Sequence, residues 1–248
     1  MGGPGPGGLG GLVARARRVA TERGLAYAAR TGASEVGARL TASLPYYRLT
    51  KSRRTFSVQG RPYRYFYHRY NATWKTERAV EVPIVWEIVQ AHQGRRILEV
   101  GNVLSHYFPV AHEIVDKYER APGVLNLDIV DYQPTESYHL IVSISTLEHV
   151  GWDEQPREPE KVLRAIDHLS TLVAPGGLVV MTLPLAYNPA MDELLRAGHL
   201  RFSRQICLKR VSADNRWAEV DWPAIAQAEF NRPFRGINGL VIGLNDVG

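Results

Sequence analysis

The 248-residue chain holds a single cysteine, Cys207. An intrachain disulfide and a zinc site built from thiolates are both excluded. The lone thiol fits a reducing, cytoplasmic setting. No apolar run approaches the ~20 residues of a bilayer span, so no transmembrane helix is expected. Segment 1–11 is rich in glycine and proline and has little to bury, which predicts disorder. The cluster Arg15, Arg17 and Arg18 follows without the long apolar stretch of a secretory leader. Acidic residues are scarce at the front. Residues 1–80 contain 15 Lys/Arg and 3 Asp/Glu, whereas the remainder contains 15 Lys/Arg and 22 Asp/Glu. A front of net charge +12 therefore precedes a body of −7, together the +5 of the whole chain. This polarity suits an anionic partner (nucleic acid, lipid headgroups or a phosphorylated substrate) or docking of the front onto the body.

The body is regular. Glu77 to Ala91 predicts a helix with Val80, Ile84, Val85, Ile88 and Val89 on one side and Pro83 in its first turns. Short apolar runs at Ile97–Val100, His112–Asp116, Val124–Leu127, Leu140–Ile144 and Leu178–Leu183 predict buried parallel strands. Glu158 to Val173 predicts an amphipathic helix, and Pro175-Gly176-Gly177 a turn into the fifth strand. Ile206–Val211 and Gly239–Leu244 suit an antiparallel pair at the sheet edge. The fold class is a doubly wound, mostly parallel α/β sheet with an antiparallel edge strand. Residues 81–248 form this domain. Residues 1–80 form a basic extension and partial lid, with 12–50 partly helical and 55–70 a hairpin. Thr55–Val58 and Tyr63–His68 are its strands, joined through Gln59-Gly60 by a longer loop, with Tyr63, Tyr65 and Tyr67 on one face.

A second absence narrows the ligand. A dinucleotide site needs Gly-x-Gly-x-x-Gly after its first strand, because the glycines let the backbone approach the pyrophosphate. Here the turn reads Gly101-Asn102-Val103-Leu104-Ser105, with one glycine. A nucleoside without a pyrophosphate needs only one close approach, plus an acid for its ribose hydroxyls past a later strand. Asp116 fits that role.

Four segments carry a family likeness: Ile97-Leu98-Glu99-Val100-Gly101, Leu127-Asp128-Ile129, Tyr138 to Val150 and Leu172 to Val180. Through them, over residues 80–185, the chain resembles the class I S-adenosylmethionine-dependent methyltransferases of Rossmann-like fold. The resemblance implies S-adenosyl-L-methionine as cofactor and methyl transfer, of the EC 2.1.1 type, as reaction. It places Glu99 and Gly101 around the methionine part of the cofactor, Asp116 on the ribose, Asp128 and Ile129 beside the adenine, and Ser143 and Ser145 near the methyl group. Val103 and Ser105 stand in the region of the family's further glycines, where Asn102 and Ser105 can still hydrogen-bond the ligand. His139 stands where an aspartate is common.

Some O-methyltransferases of this class bind a divalent metal through Glu-x-x-Glu-His. Ser145 replaces the first glutamate here, so no metal is expected. His149 is the candidate general base, since imidazole titrates near neutrality, and Tyr70 is a second candidate. Tyr67, Trp74, Glu81, Tyr187 and Asn188 are candidate substrate contacts. A small-molecule or saccharide acceptor is the first expectation, because no RNA-binding module is recognisable. The basic front keeps a nucleic-acid methyltransferase as the alternative. A catalytically inactive cofactor-binding scaffold, or an adaptor touching a membrane surface through the basic N-terminus, is the third reading.

Overall fold

The computed structural model describes residues 43–247. The expected disorder of 1–11 and most of the expected N-terminal helices lie outside the described residues. The chain divides into two compact units, residues 1–52 and 53–248. The described part of the first is a helix, α1 (Leu44–Thr50), whose N-terminal Tyr46 N–H is capped by the Ser43 hydroxyl. The hairpin assigned above to the extension belongs to the second unit.

That unit opens with β1 (Thr55–Val58) and β2 (Arg61–Arg64), paired antiparallel. The connecting loop is two residues and not longer. Gln59 and Gly60 both take positive φ, 49° and 77°, the tight turn whose twist matches that of the strands. The hairpin packs inward. Phe56 lies 5.0 Å from Tyr65 between ring centroids, and Tyr65 stacks on Tyr67 at 6.2 Å. Its arginines dock on acids of the body: Arg54 on Asp214 and Arg61 on Glu87, both at 2.8 Å. For these residues the docking reading of the basic front holds.

Helix α2 (Arg78–Ala91) follows, with Pro83 inside it, in the second turn. Proline cannot donate to the carbonyl four residues back. The orphaned carbonyl, Ala79 O, accepts instead from Phe66 N–H at 2.9 Å. The helix interruption thereby fastens the chain leaving the hairpin.

The main sheet has eight strands. Five run parallel: β3 (Ile97–Val100), β4 (Glu113–Val115), β5 (Val124–Leu125), β6 (Tyr138–Ile144) and β7 (Val173–Pro184). Three follow: β8 (Arg204–Arg210), β9 (Trp217–Val220) and β10 (Gly239–Asp246). Their spatial order is β5-β4-β3-β6-β7-β10-β8-β9. β10 is antiparallel to both β7 and β8. The pairing of β8 with β10 follows the sequence expectation, but the edge is β9, antiparallel to β8. Pro175-Gly176-Gly177 is a bulge inside β7, not a turn before it. Pairing jumps from Tyr138 with Val173 to Leu140 with Leu178.

Two apolar clusters sandwich this sheet. One holds Leu98, Ile141, Val179 and Met181 against α3 (Lys161–Thr171) and α4 (Pro189–Arg196). The other holds Ile97, Leu140, Val142 and Val180 against the hairpin and α2. This is the doubly wound, Rossmann-like architecture. β3 has β4 on one side and β6 on the other, so the carboxyl end of β3 is the topological switch point, where ligands of such sheets bind.

Candidate functional site

Glu99, on β3, is fully buried. Its Oε1 accepts the N–H groups of Val103 and Leu104 at 2.9 and 2.7 Å, and its Oε2 meets His112 Nε2 at 2.7 Å. A carboxylate under a helical turn satisfies donors that no carbonyl reaches. Here the turn is one short 3-10 helix, Leu104–His106. The absent loop glycines are thus replaced by a side-chain brace. Asp116, just past β4, holds the same loop from the other side. Its Oδ2 accepts Asn102 N–H at 3.0 Å, and its Oδ1 accepts Tyr118 and Glu119 N–H at 2.9 and 2.8 Å. Burial would raise this carboxyl, but the three N–H donors, with His106 adding, hold it below its ordinary value.

Between these strand ends lies a cavity of about 410 Å3. Val100, Gly101, Asp116, Leu127, Asp128 and Ile129 line it from the ends of β3, β4 and β5, and Thr146, His149 and Val150 line it from β6. The size suits a nucleoside-sized ligand. Gly101 takes φ +87°, and an added Cβ there would lie 2.1 Å from Thr146 Oγ1.

Asp128 meets the cavity as part of a charge cluster. Lys117 and Lys161 each reach both Asp128 and Glu154, at 2.5 to 2.8 Å. Burial would raise both carboxyls; the two lysines, with backbone donors, hold them below their ordinary values. A depressed folded-state pKa gives stability that is complete above the unfolded value and lost as pH falls through the folded one. Acid melts are therefore expected to show stability falling below about pH 4, the ordinary carboxylate range. Lys161→Met should weaken the protein near neutrality and flatten that acid fall. An unchanged acid limb in Lys161→Met would refute the role given to the cluster.

At the mouth of the cavity, His149 Nδ1 is 2.6 Å from Asp153 Oδ2, and Tyr187 OH donates to the same oxygen at 2.8 Å. The rings of His149 and Tyr187 meet edge to face at 4.5 Å. Burial would raise Asp153, but His149 and Tyr187 hold it low. Burial and Asp153 push Tyr187 up to about 12, so its hydroxyl stays protonated. With Nδ1 donating to Asp153, Nε2 is the ring nitrogen able to take a proton.

Of the residues singled out from the sequence, Gly101, Asp116, Asp128, Ile129 and His149 converge on the cavity, and Glu99 lies beneath its loop. Asn102 and Ser105 bond to each other, and Asn102 Nδ2 also donates to Glu119 Oε1 at 2.8 Å. Neither lines the cavity. Ser143 and Ser145 do not line it either. The Ser143 hydroxyl donates to Val100 O at 3.1 Å, and that of Ser145 to Glu81 Oε1 at 2.5 Å. Thr146, one residue on, is the β6-end side chain that reaches the cavity. Tyr70 lies apart from it, stacked on His106 with centroids 3.9 Å apart. Tyr67 packs in the hairpin core, and Trp74 is buried. Asn188 is a buried helix cap: its Oδ1 accepts Ala190 and Met191 N–H, and its Nδ2 donates to Glu148 O at 3.0 Å. Sequence reasoning missed Thr146, Lys117, Glu154 and Asp153. Only Asp153 left a signal, four residues after His149. Among the described residues, no three His, Cys, Asp or Glu side chains converge as metal ligands would, and no helix is long and apolar enough to cross a membrane.

No family model matches this chain, and no curated protein matches it. Its course is similar to several solved methyltransferases. One is the N-methyltransferase NodS from Bradyrhizobium japonicum WM9 in complex with S-adenosyl-L-homocysteine. It is 13% identical, with 66% of this chain and 84% of that chain covered and a TM-score of 0.39. The sugar N-methyltransferase KedS8 from Streptoalloteichus sp ATCC 53650 is 14% identical over 77% of this chain and 96% of its own, with a TM-score of 0.37. The magnesium protoporphyrin IX methyltransferase ChlM from Synechocystis PCC 6803 with bound SAM is 11% identical over 84% and 95%, with a TM-score of 0.38. Likeness this distant assigns no role to any residue.

Proposed function

We propose that this protein is an S-adenosylmethionine-dependent methyltransferase acting on a small molecule or saccharide. The cavity carries the reading: it sits at the switch point and has one positive-φ glycine where a dinucleotide needs three. Its donor set fits a nucleoside. Asp116 spends three lone-pair sites on backbone donors, and an ionised carboxylate has about four, leaving acceptor capacity for one ribose hydroxyl. Leu127, Ile129 and Val150 offer apolar walls for a base. Bound there, the cofactor supplies an electrophilic methyl group on a sulfonium. The chain's residues position the reactants and exclude water, the main sources of rate in such a transfer. His149, oriented by Asp153, carries the acceptor's proton away to solvent. Cys207, buried and unpaired, accords with a reducing, cytoplasmic setting.

Calorimetry with S-adenosylmethionine, S-adenosylhomocysteine and NAD tests this reading. Both sulfur ligands should bind and NAD should not; binding of NAD alone overturns it. Asp116→Ala should weaken the sulfur ligands by about 1–3 kcal/mol, roughly 5- to 150-fold in Kd. Unchanged affinity would remove Asp116 from the ribose.

A further inference from the structure

At the carboxyl end of β6, next to residues that line the cavity, the structure buries a carboxyl whose hydrogen bonding is incomplete. Arg78 Nη1 donates to Ile144 O at 2.7 Å and to Glu81 Oε2 at 3.3 Å, and its Nη2 donates to Ser145 O at 3.3 Å. Glu81 is complete, since its Oε1 receives the Ser145 hydroxyl. Glu77 and Glu148 also act on the Arg78 guanidinium, and Arg210 acts on Glu77 as well. Glu148 is the incomplete member. Its side chain is 3% exposed, its Oε1 is 3.7 Å from His149 Nε2, and its Oε2 has no hydrogen-bond partner. The Tyr107 hydroxyl, buried against the same cluster, also lacks a partner. A buried carboxylate oxygen without a donor is costly, and such groups are normally satisfied. Glu148 lies between Thr146 and His149, both of which line the cavity.

We propose that Glu148 heads an ammonium subsite on the methyl side of the cavity and that the acceptor is a primary or secondary amine. The proposal rests on the methyltransferase reading. An ammonium brings what Glu148 Oε2 lacks, an N–H donor, and makes that hydrogen bond a charge-assisted one. Glu148 then takes one proton from the ammonium and becomes a neutral carboxylic acid. The freed nitrogen lone pair forms the N–CH3 bond as the S–CH3 bond breaks. Sulfonium becomes thioether, and the product leaves as a methylated ammonium. Glu148 returns its proton through the adjacent His149, whose side chain is 43% exposed, to solvent. Burial, with Glu81 and Glu77 adding, sets the Glu148 carboxyl well above its ordinary value, as a proton acceptor for an amine requires. Glu77 is likewise pushed up to about 7 by burial and by Glu81, against Arg78 and Arg210.

The test compares two ligands of the purified full-length protein. S-adenosylhomocysteine has a neutral thioether, whereas sinefungin carries an ammonium where the donor carries its methyl. Both have the same amino-acid tail. Sinefungin should bind at least about tenfold more tightly than S-adenosylhomocysteine, one charge-assisted hydrogen bond's worth. In Glu148→Gln that preference should fall to near unity while S-adenosylhomocysteine binding is kept. Equal weakening of both ligands would mean that the cluster holds the tail ammonium, and an unchanged preference would mean that it faces no cation; either result overturns the proposal. Failure of S-adenosylhomocysteine to bind the unaltered protein would sink the methyltransferase reading instead. Arg78→Lys, which keeps the cation, should preserve the sinefungin preference; loss of the preference there as in Glu148→Gln would also count against the assignment.

Discussion

Gly101→Ala is expected to cripple the cavity proposed to hold the cofactor. Two penalties coincide at this position. The backbone sits at φ +87°, a conformation costing about 1–3 kcal/mol for a side-chain-bearing residue. The new methyl would also lie 2.1, 2.6 and 2.8 Å from Thr146 Oγ1, Cγ2 and Cβ. Overpacking of that kind costs about 1–3 kcal/mol more. Thr146 has little room to yield, because its hydroxyl donates to Ile144 O at 3.1 Å. The combined ~2–6 kcal/mol is shared between folding and binding, and in a chain of this size each kcal/mol lowers Tm by about 2–4 °C. Thermal melts and calorimetry separate the shares. The double variant Gly101→Ala with Thr146→Gly should recover the overlap but not the backbone strain. A single variant that melts and binds like the original would show that the loop needs no close approach here.

His149→Ala is expected to lower kcat by roughly 10²–10⁴-fold, the usual range for loss of a positioned proton acceptor. Folding should be untouched, since the ring stands at the cavity mouth and not in the core. Asp153 is a positioning residue. Asp153→Asn removes the acceptor that keeps the proton on Nδ1, so it should also reduce kcat and alter the pH–rate profile, with KM for the donor nearly unchanged. A loss in KM alone, with kcat and the profile preserved, would assign Asp153 to structure only. The measurement is methyl transfer followed by S-adenosylhomocysteine release over a pH series.

These two positions differ in how they could be found. Gly101 follows a run of four buried strand residues, and a glycine at a strand's carboxyl end is a local signal. Asp116, Asp128 and Ile129 are visible for the same reason: each sits just past a short apolar run, and a parallel sheet brings such ends to one edge. Local pattern therefore gave the strands, the edge and the cavity-lining residues close to them. It placed the turn at Gln59-Gly60 but made its loop too long, and it read the Pro175-Gly176-Gly177 bulge as a turn. Both depend on which partner strand the backbone meets.

The β6 side of the cavity was beyond local pattern. Ser145 takes a positive φ of 41°, unusual for a residue with a side chain. That twist turns Ser145 toward Glu81 and lets Thr146, not Ser143 or Ser145, reach the cavity. Nothing in the string Ser143-Ile144-Ser145-Thr146 announces it. Arg78, Glu81, Tyr107 and Glu148 lie up to 70 residues apart in the chain and meet only because α2 crosses the end of β6. Their charges are ordinary in sequence and become consequential when desolvated together. Periodicity and strand ends, which act over a few residues, therefore wrote the sheet and the strand-end lining of the cavity into the sequence. Burial and long-range packing made the carboxyl cluster at the end of β6, because desolvation of a charge depends on every element around it.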